Sequence, residues 1–178
     1  MVIPVGLFHD EPHILFLHLN VAINLHQHLH RYNDVVTVLN SENALFNRLA
    51  MPNQSFVIVA LLPEQVLDRT HSFNQINFEP YATVDYIYLL YKKHPIYVTI
   101  KRDRFQQLKG WHSITDDTLD KIIWIVSKTL DRNVNYCNER ACQSARDGNN
   151  GLAAIYEQQR LERNRLRIDA MQQLLDFI

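Results

Sequence analysis

The chain has 178 residues, 47% of them hydrophobic and 21% charged, with only four Gly and six Pro. That composition builds one ordinary core and excludes a collagenous, low-complexity or largely disordered chain. With 18 basic and 19 acidic side chains the formal charge is −1, so no chain-wide cationic field draws it to nucleic acid or lipid, and any such contact must be local.

In chain order, the apolar run 13–23 after Pro12 suits a buried strand. Asn33 or Asp34 then sits where it would cap a helix through Val35, Val38, Leu39, Leu45, Phe46 and Leu49, ending before Pro52. The segment 54–63 is short, β-branched and closed by proline, which predicts a strand. Residues 64–70 have room for one helical turn, and 70–80 form a polar loop. Segments 81–91 and 96–101, joined by Lys92-Lys-His-Pro95, predict a β-hairpin. From Thr115-Asp-Asp onward, Leu119, Ile122, Ile123, Val126 and Leu130 recur with helical spacing. A polar stretch, 131–151, reads as a linker ending in the turn signal Asp147-Gly-Asn-Asn-Gly. Residues 152–178 contain neither Gly nor Pro and predict a long terminal helix. The expectation is therefore an α+β fold: a mixed or antiparallel sheet within 13–101, packed by helices in a core of residues 1–130, then a linker and long helix over 131–178.

Cys137 and Cys142 are too few for a disulfide framework, and C-x4-C lacks the tight spacing of redox pairs and zinc knuckles. The first ten residues lack a basic n-region, and the longest apolar runs are too short to span a bilayer. A soluble, cytoplasmic protein without a membrane partner is expected. Charge is divided along the chain: residues 1–91 carry three basic and eight acidic groups, residues 92–178 fifteen and eleven.

Four groups of residues could carry function. His26, His28 and His30 alternate, so an extended segment would turn all three imidazoles to one face, and a helical one would still bring His26 and His30 together at i and i+4; either set suits Zn²⁺ or Cu, Ni or Fe. His28-Leu-His30 also resembles the metal motif of rolling-circle replication and mobilisation nucleases. Asp85 on one predicted strand and Lys101 at the end of the next resemble two positions of restriction-endonuclease-like nucleases. That resemblance implies a Mg²⁺ site with Glu42 or Glu79 as a further acid and Lys101 stabilising the attacking hydroxide. Thr99 departs from the pattern, since the family places an acid or amide ligand there. Lys92, Lys93, Arg102, Arg104 and Lys109 interleave with Tyr86, Tyr88, Tyr91, Tyr97, Phe105 and Trp111, a composition suited to phosphate contact and base stacking. On the terminal helix, Ala154, Leu161, Ile168 and Leu175 are seven apart, and Met171 with Ile178 forms a second row, a stripe that suits either a partner helix or packing back on the chain's own sheet.

No dinucleotide, P-loop or nucleophile-elbow motif is present. The leading expectation is a non-catalytic interaction subunit, without a cofactor, that contacts a protein partner or a second copy through Leu161, Ile168, Met171 and Leu175. The alternative is a degenerate metal-dependent nuclease or nucleic-acid-binding protein built on Asp85 and Lys101, with Mg²⁺ or Zn²⁺ as its ion.

Overall fold

Two apolar runs without polar interruption, Ile14 to Leu17 and Phe56–Leu62, set the architecture, because such strands are stable only with both faces covered. The computed structural model describes residues 11–18, 26–50, 54–62, 84–91, 108–113 and 118–176, with the side chains of residues 26, 62, 91 and 108–113 excepted. Its strands are β1 (His13–His18), β2 (Val36–Leu39), β3 (Phe56–Leu62), β4 (Val84–Tyr91) and β5 (Leu108–Ser113). They form one five-stranded sheet in the order β2-β1-β3-β4-β5, and every pairing is parallel. This is one of the two common orders of doubly wound α/β sheets.

The expected mixed or antiparallel sheet is therefore corrected to a parallel one, and α+β to α/β. The predicted hairpin fails because β4 takes its neighbours from β3 and β5. Segment 96–101 lies outside the described residues, as do the helical turn at 64–70 and the loop at 70–80. Parallel strands need covered crossovers rather than tight turns, so a short basic turn with proline is no guide to pairing here. A second correction concerns residues 33–49, which hold β2 and then a helix rather than one interrupted helix. Ser41 makes the break: it is extended (φ −150°) and its hydroxyl accepts from the Ala44 amide at 3.2 Å.

The helices are α1 (His26–Leu29, followed by a 3₁₀ turn, His30–Tyr32), α2 (Glu42–Leu49), α3 (Thr118–Arg146) and α4 (Asn150–Leu175). Alternation along the strands divides the sheet into two faces. Ile14, Phe16, Val36, Val57, Val59, Leu61 and Leu90 pack with Ile122, Ile123, Ile125, Val126 and Leu130 of α3 and Ala170 of α4. On the other face Leu15, Leu17, Ile58, Ile87 and Leu89 are buried, as are Leu45 and Leu49 of α2.

Residues 131–146, read as a polar linker, continue α3 without interruption. A helix so polar on its own needs a neighbour, and α4 supplies it as an antiparallel partner. The hairpin turn is compact. Gly148 is left-handed (φ +76°), Asn149 N donates to Ser144 O at 2.8 Å, and Gly148 N donates to Ala145 O at 3.1 Å. Asn149 then caps α4, its side chain accepting from the Leu152 amide at 3.1 Å.

The two long helices are fastened where the strands begin. Asn133 Nδ2 donates to Pro12 O at 3.0 Å. Arg163 Nε donates to Glu11 Oε1 at 2.5 Å, with both side chains at most 7% exposed. Gln159, with its oxygen turned to Arg163, accepts from the same guanidinium. Nearer the sheet, Arg167 pairs with Asp131 at 2.7 Å and Tyr32 donates to Gln173 at 3.1 Å. From Asn133 to Arg146, α3 runs about 20 Å past that edge.

A buried charge without its partner costs about 3–5 kcal/mol, whereas replacing both partners by apolar groups is often neutral. Glu11→Leu and Arg163→Met should therefore each lower stability by about that amount, and the double variant should recover most of it. Chemical denaturation of the four proteins measures the cycle.

Candidate functional site

α4 buries one face and leaves the other open. Tyr156, Gln159, Arg163 and Ala170 are buried inward, with Leu166 and Leu174 packed against the main core. On the opposite side Leu161, Ile168, Met171 and Leu175 are 56%, 54%, 50% and 61% exposed. Three of them carry the heptad spacing and Met171 belongs to the second row beside it, and the fold leaves all four largely exposed. Together they present on the order of 400 Å² of apolar surface, comparable to the largest apolar patch of an ordinary monomer, which is often functional. Glu162, Asp169 and Asp176 each follow a seam residue by one position, about 100° round the helix, and form an exposed acidic row beside it.

A second cluster is built on irregularities in the sheet. Phe56 pairs with Val84 and Val57 with Tyr86, so Asp85 is an extra residue, a β-bulge that re-aims its side chain. The carboxylate accepts from Ser55 Oγ at 2.5 Å and from Arg132 Nη2 at 2.7 Å. The Arg132 guanidinium lies 4.2 Å from the Tyr86 ring centroid, a cation–π contact. Lys109 is the corresponding extra residue of β5, since Ile87 pairs with Leu108 and Tyr88 with Gly110. Beside them an open cleft of about 320 Å³ is lined by Tyr86, Tyr88, Trp124, Lys128, Thr129, Asp131 and Arg132.

Asp85, expected as a metal ligand, is thus neutralised by an arginine and a hydroxyl. Lys101, Lys92, Lys93, Arg102 and Arg104 lie outside the described residues, as does the side chain of Lys109. His26, His28 and His30 do not share a strand: α1 and the 3₁₀ turn hold them, and His30 Nδ1 lies 2.6 Å from Gln27 O within its own turn. Among the described residues no group of three or more His, Cys, Asp or Glu is placed to hold a metal ion. Cys142 is exposed, while Cys137 is buried and its thiol is pushed up to about 12 by burial and then by Glu11. It is a packing group rather than a nucleophile. In doubly wound sheets ligands favour the crevice beyond the strand ends where the order reverses. Here that crevice lies beyond the C-terminal ends of β1 and β3; residues 19–25 and 63–83, which follow those strands in the chain, lie outside the described residues.

Arg132, Ser55 and Trp124 belong to this cluster although no sequence motif marks them. Trp124, Lys128 and Arg132 are four apart, so one polar stripe of α3 was legible as a face. The bulge that turns Asp85 towards it was not. No family model, curated protein or solved structure matches this chain, and among the described residues no helix is long and apolar enough to cross a membrane.

His13 provides a measurable electrostatic signature. Its Nε2 lies 2.8 Å from Thr37 Oγ1, and burial, then Arg48, then Arg163 lower its pKa from 6.5 to about 4. The unfolded chain therefore binds a proton between pH 6.5 and 4 that the folded chain refuses, so stability is present above pH 6.5 and lost as pH falls. By pH 5 the loss is about 2 kcal/mol, roughly 5 °C in midpoint for a chain of this size. Melting wild type and His13→Gln at pH 7.5 and 5.0 should show the wild type losing that much more than the variant.

Proposed function

We propose that this chain is a non-catalytic interaction subunit whose contact surface is the outer face of α4. The observation that carries the reading is the row Leu161, Ile168, Met171 and Leu175, half or more exposed on a helix whose other face is committed to the core. Leaving four large apolar side chains in water serves no folding purpose, and their spacing suits a helix laid alongside. The adjacent row of Glu162, Asp169 and Asp176 favours an amphipathic partner helix with Lys or Arg flanking its apolar strip. A second copy packed antiparallel would instead set the two acidic rows side by side. The apolar area is modest, which suits a contact that forms and releases or that a larger assembly reinforces. Nothing on the described residues favours the nuclease reading, since the Asp85 carboxylate is compensated by Arg132.

Deleting α4 would remove Arg163 and Ala170 from the interior, so the test uses substitutions on the outer face alone. The triple change Leu161→Ser, Ile168→Ser and Leu175→Ser should leave the melting midpoint nearly unchanged, as surface changes do. A photo-crosslinking residue at exposed position 165 should give a discrete adduct in the native cell that the triple change abolishes. A crosslinker at exposed position 139 on α3 is the control. An adduct that persists in the triple variant, or no adduct from position 165 in the folded protein, contradicts the proposal.

A further inference from the structure

The cleft beside Arg132 is separate from the outer face of α4 and has its own chemistry. Its walls are aromatic: Tyr86 and Tyr88 stand on β4, and Trp124 meets Tyr88 edge-on at 6.4 Å between ring centroids and 89° between planes. Trp124 remains 41% exposed, which for an indole in a concave site leaves ring surface accessible. The backbone explains the opening. Gly110 of β5 is in register with Tyr88, so the strand beside that tyrosine adds no side chain to the face. A glycine inside a strand commonly marks the close approach of a ligand or another backbone, and this one adjoins the paired bulges that place Asp85 and Lys109 out of register.

Charge in the cleft is arranged asymmetrically. Asp131 is paired with Arg167 and Asp85 with Arg132, so both carboxylates are compensated. Arg132 is held in place by Asp85 and the face of Tyr86, yet a guanidinium has five N–H donors and Nη2 alone bonds the carboxylate. Lys128 is one turn from both Trp124 and Arg132 on α3, is exposed, and forms no ion pair among the described residues. The cleft thus offers aromatic walls, one uncommitted ammonium and a pre-oriented guanidinium, with no uncompensated negative charge of its own among the described residues.

We propose that this cleft binds a small planar ring bearing one anionic group, with the ring against Tyr88 and Trp124 and the anion between Lys128 and Arg132. A volume of about 320 Å³ accommodates one or two fused rings. The shared chemistry, ring plus anion, occurs both in aromatic acids and in mononucleotides.

The experiment is calorimetric titration of the full chain with phenyl phosphate, beside phenol and inorganic phosphate as the two halves of that probe. Phenyl phosphate should bind saturably at roughly millimolar concentration or tighter, a reasonable strength for so small a molecule. Phenol and phosphate should each bind at least roughly tenfold more weakly, the scale of one charged hydrogen bond or one lost ring contact. Lys128→Ala and Trp124→Ala should each weaken phenyl phosphate by a similar factor, and Lys128→Arg should retain binding. Both positions are exposed, and melting curves establish that the variants are folded. Benzoate and adenosine monophosphate identify the source: tighter binding of one than the other assigns an aromatic acid or a nucleotide. No saturable binding of phenyl phosphate, or equal binding by wild type and both alanine variants, overturns the proposal.

Discussion

The buried pair between Arg163 and Glu11 is the interaction on which the rest depends. Glu11 stands two residues before β1, the strand that lies second in the sheet and pairs with both β2 and β3. Arg163 sits at the middle of α4, so joining them fixes where the returning helix crosses the edge at which the strands begin. C-terminal to that point the inner face of α4 joins the main core: Leu166, Ala170 and Leu174 pack into it, and Gln173 meets Tyr32. Everything N-terminal to it pairs with the distal half of α3. The pair also sets the rotation of α4. With Arg163 turned inward, positions 161, 168 and 175 must turn outward, so one buried contact determines which apolar residues are left in water.

The same constraint explains why the polar half of α3 is helical. Residues 131–146 carry little apolar surface, and no isolated segment of that composition would hold a helix in water. Asp131 is tied to Arg167, Asn133 to the Pro12 carbonyl, and Tyr136 meets Tyr156 edge-on at 6.4 Å. These are contacts between helices, invisible to any reading of one segment at a time. Local polarity alone predicts a linker there, because the partner that rescues the helix comes only after the turn at Gly148.

Much of the local structure was nevertheless legible. β1, β3 and the first half of α3 follow from apolar patterning, the terminal helix from a run without Gly or Pro, and the turn at 147–149 from Asp-Gly-Asn-Asn-Gly. The direction of the strands was not. The runs in β1 and β3 are apolar at consecutive positions, which is the mark of strands covered on both faces, and that mark argued against a hairpin with one solvated face. The spacing of Leu161, Ile168 and Leu175 marks an apolar row in the sequence, while its exposure depends on Arg163 facing the other way. Asp85 was singled out for its charge, but its role as the partner of Arg132 arises from a bulge in register that no spacing of residue types records.

The central claim is that α4 belongs to the core through its inner face and is held there as one unit with α3. Amide hydrogen exchange of the unmodified chain tests it directly, because opening free energies separate a docked helix from an appendage. The account predicts that amides of 163–174 exchange as slowly as those of 122–133, both near the global unfolding limit. Rapid exchange throughout α4 with α3 still protected would contradict it.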